Sequence, residues 1–185
     1  MYEVRFHGRG GQGAVLASKI LAKALADEGK YVKAIPSFAF ERRGAPVAAY
    51  LRFDDQLIRR NTNVYTPDCI VCMDPSLHRS VNIFEDLKRD GVWVQATRKS
   101  PEEIEIPDRV SRVGLCNAMS LALEIFSQPI TNTIILGAFA RTTGLVQLDS
   151  LCKGMESVEF RDAALEKNVL AVRRGYEATT VIDRS

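Results

Sequence analysis

Three glycines near the start of the chain have the spacing of an anion-holding loop. Arg5 to Leu25 reads RFHGRGGQGAVLASKILAKAL, and Gly8, Gly10 and Gly13 satisfy G-x-G-x-x-G. Gly8 and Gly10 permit tight, positive-φ turning, and Gly13 lets a helix start pack close to the preceding strand. The amides at such a helix start, with the positive end of its dipole, suit a phosphate or carboxylate. Arg9 adds a charged donor, and Gly11 and Gln12 complete the loop.

A dinucleotide site needs a further residue, an acid at the end of the second strand to hold ribose hydroxyls. That strand ends Ala34-Ile35-Pro36-Ser37, and the first acid beyond it is Glu41. A P-loop needs a Lys-Ser/Thr pair after its last glycine, where Ala14-Val15 stand. The residues alone leave three readings: a structural turn, a dinucleotide site, or a loop that meets another phosphate-bearing ligand or a partner subunit.

A second stretch with chemical character is PSFAFERRGAPV, Pro36 to Val47, carrying Ser37, Phe38, Phe40, Glu41, Arg42, Arg43 and Gly44. It follows the second strand, on the side where open α/β sheets bind ligands. Aromatic residues and arginines are what interface cores and anion sites use. Either both phenylalanines enter the core and the arginines are solvated, or this loop faces the glycine loop across one crevice lined by Arg9, Arg42 and Arg43. Pairing of Arg42 and Arg43 with Glu41 or Asp54 would reduce their use for a ligand.

Other chemistries lack their residues. Cys69 and Cys72 have C-x-x-C spacing but lie in CIVCM, a strand-like run in which i and i+3 point to opposite faces. Cys116 and Cys152 add no second pair, so the four cysteines read as core thiols of a reducing compartment. The two histidines, His7 and His78, are few for a metal or acid–base site, and His7 stands at a strand end. There is no Gly-x-Ser-x-Gly elbow and no cysteine cluster of iron–sulfur spacing. The chain reads as a binding module that completes chemistry done elsewhere.

The elements that must position these loops follow from periodicity. Strands are expected at Tyr2–His7, Tyr31–Ile35, Val47–Phe53, Asp68–Met73, Val92–Gln95 and Arg109–Leu115, with a shorter piece around Leu57 and Ile58. A helical stripe covers Ala14–Glu28 and stops at Gly29; a short helix is expected over Phe84–Arg89. Lys99–Pro107 reads as a surface loop. From Ala118 the texture is helical: Ala118–Phe126, Thr133–Arg141 and Asp162 to about Thr180, the last with Leu165, Val169, Val172 and Tyr176 near one face. This pattern predicts an α/β, Rossmann-like layered fold with a mostly parallel sheet and a helical C-terminal third.

At 185 residues the chain is expected to form a single domain, 1–185, with a substantial core. Its net charge of +2 gives no electrostatic case for nucleic acid. No apolar run is long enough to span a bilayer, and Met1-Tyr2-Glu3-Val4 leads straight into a strand pattern, so no membrane and a cytoplasmic location are expected.

Together, RFHGRGGQGAVLASKILAKAL, PSFAFERRGAPVAAYLR and ITNTIILGAFARTTG resemble the gamma subunit of the 2-oxoacid:acceptor oxidoreductases of the pyruvate:ferredoxin type. The resemblance runs from Tyr2 to about Gly144. It implies a non-catalytic subunit of a complex that oxidatively decarboxylates a 2-oxoacid with coenzyme A, giving acyl-CoA and carbon dioxide and passing electrons to ferredoxin or another acceptor. Alpha, beta and ferredoxin-like delta subunits would be its partners, holding thiamine diphosphate, magnesium and iron–sulfur clusters. The gamma chain would bind no cofactor alone and would help position coenzyme A as co-substrate. Carried over, the coenzyme A or subunit-contact loop is Gly8, Arg9, Gly10, Gly11, Gln12 and Gly13, and the second block is Glu41, Arg43 and Gly44. Ala45 stands where many relatives have glycine. Pyruvate is the expected substrate by family frequency; TNVYTPDCIVCMDPSL and GVWVQAT also resemble chains serving aromatic 2-oxoacids such as phenylglyoxylate or indolepyruvate, NAD-linked through a further subunit. The rival reading from another class is a stand-alone nucleotide-binding regulatory module.

Overall fold

The computed structural model describes residues 1–36, 43–156 and 162–184. Seven strands form one sheet: β1 (Tyr2–Arg9), β2 (Tyr31–Pro36), β3 (Pro46–Asp54), β4 (Cys69–Cys72), β5 (Gly91–Ala96), β6 (Val110–Cys116) and β7 (Thr180–Asp183). The helices are α1 (Ala14–Asp27), α2 (Ala118–Phe126), α3 (Asn132–Thr143), α4 (Leu148–Glu156) and α5 (Asp162–Glu177). The sheet order is β2-β3-β1-β4-β5-β6-β7. β1, β4, β5 and β6 pair in parallel, while β3 lies antiparallel between β2 and β1, and β7 closes the far edge antiparallel to β6. Five of the seven strands therefore run the same way, as the mostly parallel α/β reading requires.

Each face of the sheet has its own core. On one face Val4, Phe6, Cys69, Val71 and Val94 pack against α1, α3 and the C-terminal helices. On the other, Ile70, Cys72, Trp93 and Val113 pack under Leu77, Ile83 and Leu87 of the β4–β5 connection. Cys69 and Cys72 thus go to opposite faces, as their strand spacing requires. α3 carries a buried residue at nearly every position and is crossed tightly by α5: a Cβ on Gly137 would lie 2.0 Å from the Val172 carbonyl, and one on Gly175 2.1 Å from that of Ile134. Fully burying one Ile or Leu is worth about 1.5–3 kcal/mol, so this largely buried helix, with Ile134, Ile135, Leu136 and Phe139 fully covered, anchors the C-terminal layer.

Several expectations need correction. Phe84–Arg89 forms turns rather than a helix, because Asp86 adopts φ 55° and the Arg5 guanidinium takes the carbonyls of Ile83 and Glu85, which a helix would use internally. The segment around Leu57 and Ile58 is not a strand: Ile58 is buried and Leu57 exposed, and the loop beyond them is held by Arg52 through the Thr62 and Asn63 carbonyls. The last helix ends at Glu177, and Thr180–Asp183 leaves it to form β7. α4 was not expected; its Gly154 sits against α1, where a Cβ would be 3.3 Å from the Ile20 carbonyl. Lys99–Pro107 is a loop with one 3-10 turn at Pro101–Glu103.

Candidate functional site

The chain leaves β1 at Arg9, turns through Gly10–Gln12 and enters α1 at Ala14, beside β4 in the sheet. β1 connects to one side through α1, while β4 lies on its other side, so the loop stands at the switch point where open α/β sheets bind ligands. Gly11 adopts φ +93° and Gly13 φ +78°. Gly13 also allows a close approach, since a Cβ there would lie 2.4 Å from Asn132 Nδ2 at the start of α3. Asn132 is buried and its Oδ1 accepts the Thr133 amide at 2.9 Å, which fixes the amide group that meets Gly13.

Part of the loop is occupied internally. The Gly10 amide donates to the Ala45 carbonyl (2.9 Å), the Gly44 amide to the Gly10 carbonyl (3.1 Å), and the Gln12 amide to the Arg9 carbonyl (2.9 Å). The Gln12 side chain accepts the Arg9 amide at 2.7 Å and donates to Asp74 Oδ2 at 2.9 Å. Arg9, the expected phosphate ligand, spends its guanidinium on Asp74 Oδ2 (3.1 Å), the Ser76 hydroxyl (2.8 Å) and the Gly44 carbonyl (3.0 Å). Asp74 caps the 3-10 turn Pro75–Arg79 by accepting the Ser76 amide at 2.8 Å. Burial alone would raise the Asp74 carboxyl, but the Ser76 hydroxyl and amide, the Gln12 amide and the Arg9 guanidinium outweigh it and hold it below the usual carboxylate range. Arg9 and Asp74 together rigidify the loop and nearly cancel in charge.

A different set faces outward. Gly11, Gly13, Ala14, Val15, Leu16, Lys19 and Val47, with Arg9 at the edge, line a cavity of about 310 Å³. The α1 start has no side-chain cap and no acid in its first turn, so its end amides are left for a ligand. Lys19 is exposed and makes no ion pair among the described residues. One helical turn beyond Leu16, it places its charge on the same face as the first-turn amides. Lys19, Asp74 and Ser76 were not expected at the site. The i+4 step from Val15 was the available signal for Lys19; Asp74 and Ser76 reach the loop only through sheet order.

Of the second stretch, Ser37, Phe38, Phe40, Glu41 and Arg42 lie outside the described residues. Arg43 is exposed, and Gly44 adopts φ +85° where the chain turns into β3. Gly44 and Ala45 meet the glycine loop directly through backbone hydrogen bonds. His7 is buried behind the loop with Nε2 accepting from Arg5 Nε at 3.1 Å. Burial, then the Arg5 charge, then His78 push its pKa down to about 3, so it is a neutral core group. Burial also pushes the Cys72 thiol up to about 12 and Cys116 up to about 11, with Cys69 raised further. Among the described residues no cluster of His, Cys, Asp or Glu could hold a metal ion, and no helix is long and apolar enough to cross a membrane.

Among the described residues the arrangement is an amide cradle with the Lys19 cation at its mouth and no nucleophile or acid–base pair lining it. The family model described as pyruvate ferredoxin/flavodoxin oxidoreductase matches residues 3–178. The chain is 59% identical, over 98% of its length and 95% of the relative's, to the NADH-dependent phenylglyoxylate dehydrogenase subunit gamma of Aromatoleum evansii. It is 47% identical, over 99% of its length and all of the relative's, to the pyruvate/ketoisovalerate oxidoreductases common subunit gamma of Pyrococcus furiosus. The crystal structure of pyruvate oxidoreductase subunit PORC from Thermotoga maritima superposes with a TM-score of 0.82 at 36% identity, covering 97% of both chains.

Proposed function

Because this chain belongs to the pyruvate ferredoxin/flavodoxin oxidoreductase family, as a gamma subunit of the 2-oxoacid:ferredoxin oxidoreductases, we propose that its glycine-loop cavity clamps the phosphates of coenzyme A. The observation that carries this reading is the unused amide start of α1 opening, with Lys19, into one cavity. Coenzyme A brings a pyrophosphate and a ribose phosphate, and helix-start amides with a lysine are a standard complement to both. Its thiol stands at the far end of a long flexible arm, so fixing the nucleotide end restricts where that thiol can reach. The chain's part is placement, while bond-making belongs to groups on alpha, beta and delta partner subunits. The described residues offer no metal cluster, and the four cysteines are buried. On the family resemblance, thiamine diphosphate, magnesium and iron–sulfur clusters are assigned to those partners, with ferredoxin or NAD as the acceptor, in the cytoplasm.

The 2-oxoacid is read as aromatic, of the phenylglyoxylate class, on the 59% identity with the phenylglyoxylate dehydrogenase gamma subunit over nearly the whole of both chains. Pyruvate is the second reading, carried by the 47% identity with the pyruvate/ketoisovalerate subunit. The purified complex, assayed for CoA-dependent oxidation of phenylglyoxylate, pyruvate, indolepyruvate and 2-oxoglutarate, separates them. Lys19→Ala in the same complex is expected to raise the coenzyme A KM roughly five- to tenfold, as one exposed charged hydrogen bond of about 1–1.5 kcal/mol requires. An unchanged KM in both Lys19→Ala and Gly11→Ala removes the glycine loop from coenzyme A binding.

A further inference from the structure

A second and larger crevice, about 900 Å³, opens at the carboxyl ends of β4 and β5 on the other side of the Asp74–Ser76 turn. One wall is a fixed aromatic panel. Phe84 and Trp93 pack edge to face with ring centroids 4.9 Å apart, and His78 stands 5.7 Å and 5.6 Å from them. Gln95, 2% exposed, locks this wall: its Oε1 lies 2.9 Å from His78 Nε2 and accepts the Trp93 indole N–H at 3.1 Å. Its Nε2 donates to the Ala96 carbonyl.

Lining the crevice is Thr131, the residue that precedes the twelve-residue α3. It is 3% exposed, and among the described residues its hydroxyl makes no hydrogen bond. Thr131 lines the crevice, so its hydroxyl is open to a group bound there. The α3 dipole makes that group an anion by preference. At the rim stand Arg79, Arg98 and Lys99, with no ion pair among the described residues, against Glu103, which is engaged by the Ser100 amide, and Glu105. The volume falls within the usual range of small-ligand sites.

An aromatic wall, a hydroxyl at a helix start and a basic rim together complement a phosphorylated ligand that carries a ring. We propose that this crevice is a nucleotide site: it takes a phosphorylated ligand with a flat heterocycle, the ring against the His78–Phe84–Trp93 panel and the phosphate toward Thr131 and the rim cations. The site is distinct from the glycine-loop cavity, with which it shares no lining residue.

Trp93 is the chain's single tryptophan, so its emission reports this crevice alone. The full-length chain is titrated with ADP and, separately, with adenosine, inorganic phosphate and coenzyme A. ADP is expected to change Trp93 emission saturably, with adenosine and phosphate binding more weakly. Arg98→Ala/Lys99→Ala, both at exposed positions where folding is not at risk, should weaken ADP about tenfold, and Thr131→Val severalfold. Lys19→Ala should leave the ADP response unchanged. A coenzyme A response lost in the Arg98/Lys99 variant but kept in Lys19→Ala names the coenzyme's own nucleotide end as the ligand source; a response to ADP without coenzyme A names a free nucleotide. No saturable response to any probe, or an ADP response abolished by Lys19→Ala, overturns the proposal while leaving the coenzyme A reading to its own assay.

Discussion

The contact between Gly13 and Asn132 gives a sharp test of how the glycine loop is held. Gly13→Ala puts an L-residue at φ +78°, at a cost of about 1–2 kcal/mol. The new Cβ also arrives 2.4 Å from Asn132 Nδ2, roughly 1 Å inside ordinary contact. Asn132 cannot swing freely, because it is 5% exposed and its Oδ1 holds the Thr133 amide. Displacing it adds an overpacking cost of about 1–3 kcal/mol. The sum is about 3 kcal/mol, or roughly a 6–12 °C fall in Tm for a chain of this size. Gly11→Ala is the control. It has φ +93° but no atom within 4 Å, so it should show only the backbone part. Urea unfolding of both variants, and of Gly13→Ala combined with Asn132→Ala, separates the two costs. The double variant should be more stable than additivity predicts by about 1–2 kcal/mol, since removing the amide removes the clash. Equal effects of Gly11→Ala and Gly13→Ala, with no coupling to Asn132, would refute the claim that α3 buttresses the loop.

Two further outcomes follow from the polar face of β1. Glu3 and Arg52 stand opposite each other across β1 and β3, 3% and 1% exposed, in a buried ion pair. Glu3→Leu leaves the Arg52 charge uncompensated and should cost about 3–5 kcal/mol by urea unfolding, whereas Glu3→Leu/Arg52→Met should cost less than Glu3→Leu alone; a double variant worse than the single one contradicts this. His7 is held neutral with a pKa near 3, against an ordinary value of 6.5, so the unfolded chain binds its proton first as pH falls. The stability it contributes is present above pH 6.5 and drains between 6.5 and about 3, amounting to about 2 kcal/mol by pH 5. In His7→Gln that part of the pH dependence should vanish, and an identical slope in variant and parent would show that His7 titrates normally in the fold.

The order of the elements was legible because each rests on local signals: glycines ahead of a helical stripe, alternation over β1 and β3, an apolar run for β4. What was not legible depends on pairing at a distance. Glu3, Arg5 and His7 alternate with Val4 and Phe6, which reads as a solvent face, yet all are buried. Their cover is made of irregular backbone, and the arginines are what permit it. Arg52 and Arg5 satisfy the carbonyls of Thr62, Asn63, Ile83 and Glu85, groups that would otherwise force those segments into helix or strand. A long cationic side chain used as a carbonyl cap has no sequence period, so a helix over Phe84–Arg89 looked reasonable and was wrong. The candidate site divides in the same way. Its glycines announce themselves, but Asp74 is 65 residues from Arg9 and enters only because β4 lies beside β1.

Sheet order also supplies a physical reason for the missing ribose acid. In a doubly wound dinucleotide fold the second strand lies next to the first, and its carboxyl end brings an acid to the glycine loop. Here β3 occupies that place and runs the opposite way, so the glycine loop is flanked by the entrance of a strand rather than its exit. What lies against Gly10 is the backbone of Gly44 and Ala45, hydrogen-bonded to it from both sides, and Pro46 faces Arg9 in the register. An acid placed at the end of β2 would stand one strand further out, beyond β3. The same glycines are thereby turned from gripping a dinucleotide along the sheet edge to presenting the helix start outward. On this argument, substituting an acid at Ile35 cannot create NAD affinity, and a measurable gain of NAD binding in Ile35→Asp would show that the inserted strand does not set what the loop can hold.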